Sequence, residues 1–245
     1  TLAATVNSMN RLQSIAWMAL VALLATSVQA QRHTGITADF TDSRTLKVQR
    51  KVEELFQRGD FDRAYFIYRN ELVPTGDKYA QYMVGYMHLT GMGVDQDPVL
   101  ASAWYRLSAE RGTPQFIEVR DKIMGGMTDG ERRRSDQEYT ELRREYSDLA
   151  ILLAAIKRGV RDMRSMTGSR LAGNSSALTV IEVQSLTQTR DAADYYQRVE
   201  RDLERHLTLL SEIDGFQDLR TADPARVDID EIERLVDERL NTFQD

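Results

Sequence analysis

The chain has 245 residues, of which 32 are basic and 38 acidic, giving a formal net charge of −6. That balance, with no extended basic run, argues against nucleic acid as a partner. The absence of cysteine excludes disulfide staples and a lipid-modified cysteine behind a leader, and the length leaves room for one or two small domains.

Residues 1–30 read as a secretory signal peptide. Met9-Asn10-Arg11 is a short positive start, Ile15 to Ala25 an apolar core and Val28-Gln29-Ala30 a small-residue exit, with cleavage expected after Ala30. Residues 1–8 precede Met9, which is expected to be the true start. The apolar run is shorter than the roughly 20 residues a membrane-spanning helix needs, so the chain is not expected to span a membrane after cleavage. Such a leader on an acidic, cysteine-free chain points to a soluble exported protein of a bacterial periplasm. Residues 31–44 are polar and aperiodic, as in a flexible leader.

A first helix is expected from near Ser43, carrying Leu46, Val52, Leu55 and Phe56 before Gly59. Residues 61–71 form a second helix. The segment from Tyr79 to Gly112 then reads as two antiparallel helices and a tight turn. In its first helix Ala80, Val84, Gly85 and His88 share a face, and Gly85 has no side chain to hold a neighbouring helix away. Gly91 and Gly93 sit where positive φ ends a helix cheaply. Asp97-Pro98 is an N-cap and first-turn pair, and Ala101, Trp104, Tyr105 and Ala109 give the second helix an apolar face that Gly112 stops. Ala64, Ile67, Tyr68 and Arg69 match Ala101, Trp104, Tyr105 and Arg106 at a constant offset of 37, so the unit recurs.

The run Ala80-Gln81, Gly85, Gly91-x-Gly93-Val94, Asp97, Ala101, Trp104-Tyr105, Ala109 and Gly112 resembles one full unit of the Sel-one-like repeat family, a subclass of the tetratricopeptide-like α-solenoids. Val84, His88, Leu100 and Ser108 depart from that family's preferences without threatening its packing. The resemblance implies a protein-interaction scaffold that does no chemistry of its own. In the segment from Pro114 to Met127, Asp121 stands where Gly85 would, so the array is expected to decay there and to occupy 45–128.

Residues 129–245 change character. Ser135 and Glu138 have capping-box spacing, and Tyr139, Leu142, Tyr146, Leu149, Leu153, Ile156, Val160 and Met163 form an unbroken heptad stripe, predicting one helix roughly 45 Å long. A second stripe holds Tyr196, Val199, Leu203, His206, Leu210 and Ile213. The serine-, glycine- and threonine-rich stretch between them is expected to be a loop or an irregular hairpin tip. Asp223-Pro224 is expected to open a last helix bearing Val227, Ile232, Leu235, Val236, Leu240 and Phe243. The stripes close either into an antiparallel hairpin or three-helix bundle within the chain, or against a second chain as a homo-oligomer.

Catalysis finds little support. His33, His88 and His206 stand apart from metal-ligand spacing, so no metal site and no cofactor are expected. Met83, Met87, Met92, Met124 and Met127 suit gap-filling between repeat helices, and Arg132 to Arg134 suit a solvated helix edge. Because first helices line the concave side of a solenoid, Tyr79, Tyr82, Met83 and Tyr86 are the candidates for partner contact. The fold expected is therefore all-α: a short tetratricopeptide-like helical repeat array followed by a long helical hairpin or three-helix bundle. The function expected is an exported scaffold or adaptor that binds another envelope protein. A cell-wall hydrolase, or a regulator or inhibitor of one, and a self-associating coiled-coil structural protein are the alternatives.

Overall fold

The structure, a computed structural model, describes residues 43–167, 180–182, 187–189, 192–213, 215–217 and 227–242. The expected signal peptide, nearly all of the leader, His33 and Asp223-Pro224 lie outside the described residues. The chain divides after Asp148 into two compact units, each with its own apolar core.

The first unit is a tetratricopeptide-like run of three helix pairs. Helix α1 is Ser43–Gln57 and α2 is Phe61–Ile67, extended by a π-helical turn Tyr68–Leu72 and a 3-10 turn Val73–Thr75 that stops at Gly76 with φ 77°. Helices α3 (Lys78–Thr90) and α4 (Pro98–Ser108) form the central pair, and α5 (Pro114–Gly125) and α6 (Asp129–Tyr146) the third. Burial of Val52, Ala64, Tyr68, Ala80, Val84, Trp104, Tyr105, Phe116 and Val119 joins the three pairs in one core. A single pair could not hide these faces.

The array runs further than the sequence suggested. Helix α6 begins at Asp129 under a capping box made by Thr128 and Glu131, not by Ser135 and Glu138. Ser135 is instead fully buried in mid-helix, where its hydroxyl lies 2.7 Å from that of Ser102 on α4. Arg106 stacks over Tyr139, 4.1 Å from the ring centre, and bonds Asp136 at 2.7 Å. Helix α6 is thus the second helix of the third pair, and a boundary at 128/129 would cut that pair in two.

The expected 45 Å helix is also broken, at Ser147, whose backbone is extended with φ −66° and ψ 159°. Its heptad stripe serves two cores: Tyr139, Leu142 and Tyr146 pack in the first unit, and Leu149, Leu153, Ile156 and Val160 in the second.

That second unit holds α7 (Asp148–Thr167), α8 (Ala192–Ser211) and α9 (Ile229–Asn241). Leu203, Leu207 and Leu210 of α8 and Ile232, Val236 and Leu240 of α9 close over the α7 stripe, so that seam is buried within the chain as a three-helix bundle. At Gly159 an added Cβ would lie 3.3 Å from the Leu203 side chain, which marks the close approach of α7 and α8. Helix α9 starts at Ile229 with Asp228 as its cap, later than Asp223-Pro224 suggested. Between α7 and α8, where a loop was expected, β1 (Val180–Glu182) and β2 (Thr187–Thr189) pair antiparallel, Ile181 opposite Gln188.

Candidate protein-interaction site

The central helix pair is fixed by backbone chemistry that its sequence specifies. Asp77 caps α3 by accepting from the Ala80 amide at 3.1 Å, and Asp97 caps α4 by accepting from the Val99 and Leu100 amides at 3.0 Å. Gly91, with φ 74°, ends α3. Gly93, with φ 70°, passes so close to α2 that a Cβ would lie 2.4 Å from the Phe61 carbonyl oxygen. At Gly85 a Cβ would lie 3.1 Å from that of Trp104, confirming the contact expected of this glycine.

The four candidate contact residues are not on the surface. Tyr79, Tyr82, Met83 and Tyr86 are all buried, with Tyr82 at 0% exposure. Their rings form an internal ladder: Tyr79 lies 6.4 Å from Tyr68, Tyr82 5.2 Å from Tyr105 and 5.3 Å from Phe116, and Tyr86 6.2 Å from Phe56. The neighbouring pairs pack on this face, so these side chains set the stacking of the three pairs. Burial raises the Tyr82 and Tyr105 hydroxyls above the usual phenol range, and neither has a hydrogen-bond partner among the described residues. Met83 and Met87 are buried and Met92 packs against the same core, as gap-fillers should.

A buried ionic cluster sits at the end of this pair, and sequence reasoning missed it. Lys78, 1% exposed, reaches Glu110 at 2.6 Å, Asp148 at 3.1 Å and the Gln81 side-chain oxygen at 3.2 Å. Arg111 donates two hydrogen bonds to Asp148, at 2.7 and 2.9 Å, and one to the Gly76 carbonyl at 2.9 Å. The Asp148 amide donates to Glu110 at 3.1 Å. Burial alone would raise the Asp148 carboxyl, but the Arg111 hydrogen bonds and the Lys78 charge outweigh it and hold it below the usual range. Asp77, buried nearby with the Gln49 amide on its second oxygen at 3.2 Å, is pushed up by burial. One signal was legible: a lysine in the first turn opposes the helix dipole, and so needs an acidic partner from elsewhere.

The remaining candidates take structural places. His88 is 6% exposed and its Nε2 lies 3.2 Å from the Tyr65 hydroxyl, while burial lowers its pKa. His206 sits in the bundle, where burial, with the Arg205 charge, lowers it to about 4. Arg132, Arg133 and Arg134 are exposed, as expected. No group of three or more histidines, aspartates or glutamates among the described residues could hold a metal ion, and none of the described helices is long and apolar enough to cross a membrane. A cleft between α1 and the α2–α3 junction, lined by Gln49, Val52, Glu53, Tyr68, Leu72, Asp77 and Tyr79, has room for a water molecule rather than an organic ligand. Among the described residues, the large apolar side chains that do face solvent are Phe66 of α2, 61% exposed, and Leu46 of α1, 44% exposed.

Comparison with known proteins agrees with this geometry. No curated protein and no solved structure matches the chain. Residues 78–113, which run from the buried lysine to just past the glycine that stops α4, match the family model of the Sel1 repeat, so the central pair is a Sel1 repeat, a helical module that generally mediates protein–protein contacts.

Proposed function

We propose that the chain is an exported scaffold of the bacterial envelope that binds a partner protein through the first helix pair of its repeat array. The Sel1 repeat at residues 78–113 carries this reading, because that module is a protein-binding one. The placement of side chains adjusts where the contact lies. With Tyr79, Tyr82, Met83 and Tyr86 in the core, the array's own surface offers Phe66 and Leu46 as apolar anchors, both on α1 and α2. An exposed aromatic ring loses more water-accessible area on docking than any half-buried neighbour.

The test places a photo-crosslinking residue at Phe66 or, as control, at the exposed Glu141 of α6, in the full chain expressed in a bacterium that is then fractionated. A discrete adduct with a second protein at position 66 and none at 141, recovered from the envelope fraction, is the expected result. Adducts at neither position, an adduct containing this chain alone, or retention in the cytoplasm would overturn the proposal.

A further inference from the structure

Two exposed helix faces at opposite ends of the sequence carry mirror-image charge. On α1, Lys51, Glu54 and Arg58 read plus, minus, plus at spacings of three and four, and the Arg58 amide still bonds the Glu54 carbonyl at 3.1 Å, continuing the last turn. On α9, Glu231, Arg234 and Glu238 read minus, plus, minus at the same spacings. Positions separated by three and seven share one face of a helix, and seven residues rise roughly 10 Å. The like-charged pair at this register, Glu53 and Glu233, points elsewhere: Glu53 lines the cleft beside Asp77, and Glu233 bonds Lys157 at 2.7 Å.

Within the chain these charges are lightly engaged. Glu54 and Arg58 lie 3.9 Å apart with side chains 64% and 75% exposed, and Arg234 and Glu238 lie 3.5 Å apart at 63% and 70%. Exposed pairs within one helix hold their partners weakly and exchange them readily. Both faces are exposed among the described residues, and the complementary pattern for each is carried by the chain itself. We propose that two copies of this protein associate by setting the Lys51–Glu54–Arg58 face of α1 in one copy against the Glu231–Arg234–Glu238 face of α9 in the other. Laid side by side in parallel, all three positions meet an opposite charge; a one-register slip loses the match, which fixes the alignment as well as the attraction. The contact joins two different patches, so it either closes into a dimer with two such contacts or continues into longer assemblies. This surface is distinct from the heptad stripe, which is buried in the bundle core, and does not depend on the identity of any other partner.

Sedimentation velocity of the full chain tests it. Association is expected at about 0.01 M salt and is expected to weaken at least tenfold at about 1 M, as the Debye length falls from roughly 30 to 3 Å. Lys51→Glu with Arg58→Glu puts like charges at two of the three positions and is expected to give monomers at low salt, and so is Glu231→Lys with Glu238→Lys. An equimolar mixture of the two variants restores association, because each then meets a complementary face on the other. A wild-type chain that stays monomeric at low salt, including one that binds anionic vesicles instead, overturns the proposal. So does a mixture that remains monomeric while circular dichroism shows both variants helical.

Discussion

The repeat unit and the bundle solve the same problem, burying apolar stripes on short helices, with opposite materials. In the repeat, aromatic rings and glycines fix one geometry: Tyr82 is wedged between Tyr105 and Phe116, and Gly85 leaves no slack against Trp104. Its polar contacts are equally specific, with the buried Lys78 and Asp148 held by Glu110 and Arg111 at the end of the central pair. In the bundle the core is mostly leucine, isoleucine and valine, with Ala150 and Phe216, and the salt bridge Lys157–Glu233 is partly exposed. A jigsaw core holds one shape and tolerates little, whereas an aliphatic core tolerates more.

Four tests press on this contrast, from the largest effect to the smallest. Tyr82→Ala opens a cavity in the ring ladder and is expected to cost about 4 kcal/mol in thermal or denaturant unfolding, while Tyr82→Phe, which removes a hydroxyl lacking a partner, changes little. Were Tyr82 a surface contact, alanine would cost less than about 0.5 kcal/mol.

Lys78→Met removes one member of the buried cluster and leaves Glu110 short of its cation. About 3 kcal/mol of destabilisation should follow, at the low end for buried pairs because Arg111 remains to hold Asp148. Lys157→Met in the bundle, read by the same denaturation, should cost well under 1 kcal/mol.

Gly85→Ala and Gly159→Ala make the comparison within one chemistry. Alanine gains up to about 1 kcal/mol of helix propensity at each site. At Gly85 the new Cβ meets the Trp104 Cβ at 3.1 Å and the Ala101 carbonyl at 3.3 Å, so a net loss of about 1 to 2 kcal/mol is expected. At Gly159 it meets the Leu203 Cβ and Cδ1, both at 3.3 Å, with no backbone carbonyl as close, so the crowding is milder and the net change should lie near zero. Equal effects at both glycines would refute the distinction between the cores.

The smallest effect is one of pH. His206 is held neutral in the folded bundle, with its pKa lowered to about 4, whereas the unfolded chain protonates near 6.5. The unfolded state therefore binds more protons between these values, and His206's contribution to stability, full above about pH 6.5, declines as the pH falls toward 4. Linkage between these values would give about 2 kcal/mol at pH 5, which partial solvent access reduces to about 1 kcal/mol, seen as a fall in melting temperature that His206→Leu reduces.

Much of the repeat was written in the sequence. Gly91, Gly93, Asp97-Pro98 and Gly112 act through their own backbones, so their roles needed no knowledge of neighbours. The heptad stripe was legible as an apolar surface, but which core it faced was not. Its residues keep one period through Tyr146 and Leu149, and only the break at Ser147 assigns the two halves to different units. The β1–β2 ribbon escaped because its strands are three residues long, within a stretch whose serine and glycine content suggested a loop.

What the sequence determined by itself is local: where helices start and stop, which positions must be glycine, and which faces are apolar. Tertiary structure decided what covers those faces. Tyr79, Tyr82, Met83 and Tyr86 have the pattern of a binding stripe and became core because neighbouring pairs closed over them. Lys78 looks like an ordinary surface lysine until chain folding brings Glu110 and Asp148, 32 and 70 residues away, to its ammonium group. Burial is a property of the whole packing, set by long-range partners that no local pattern encodes.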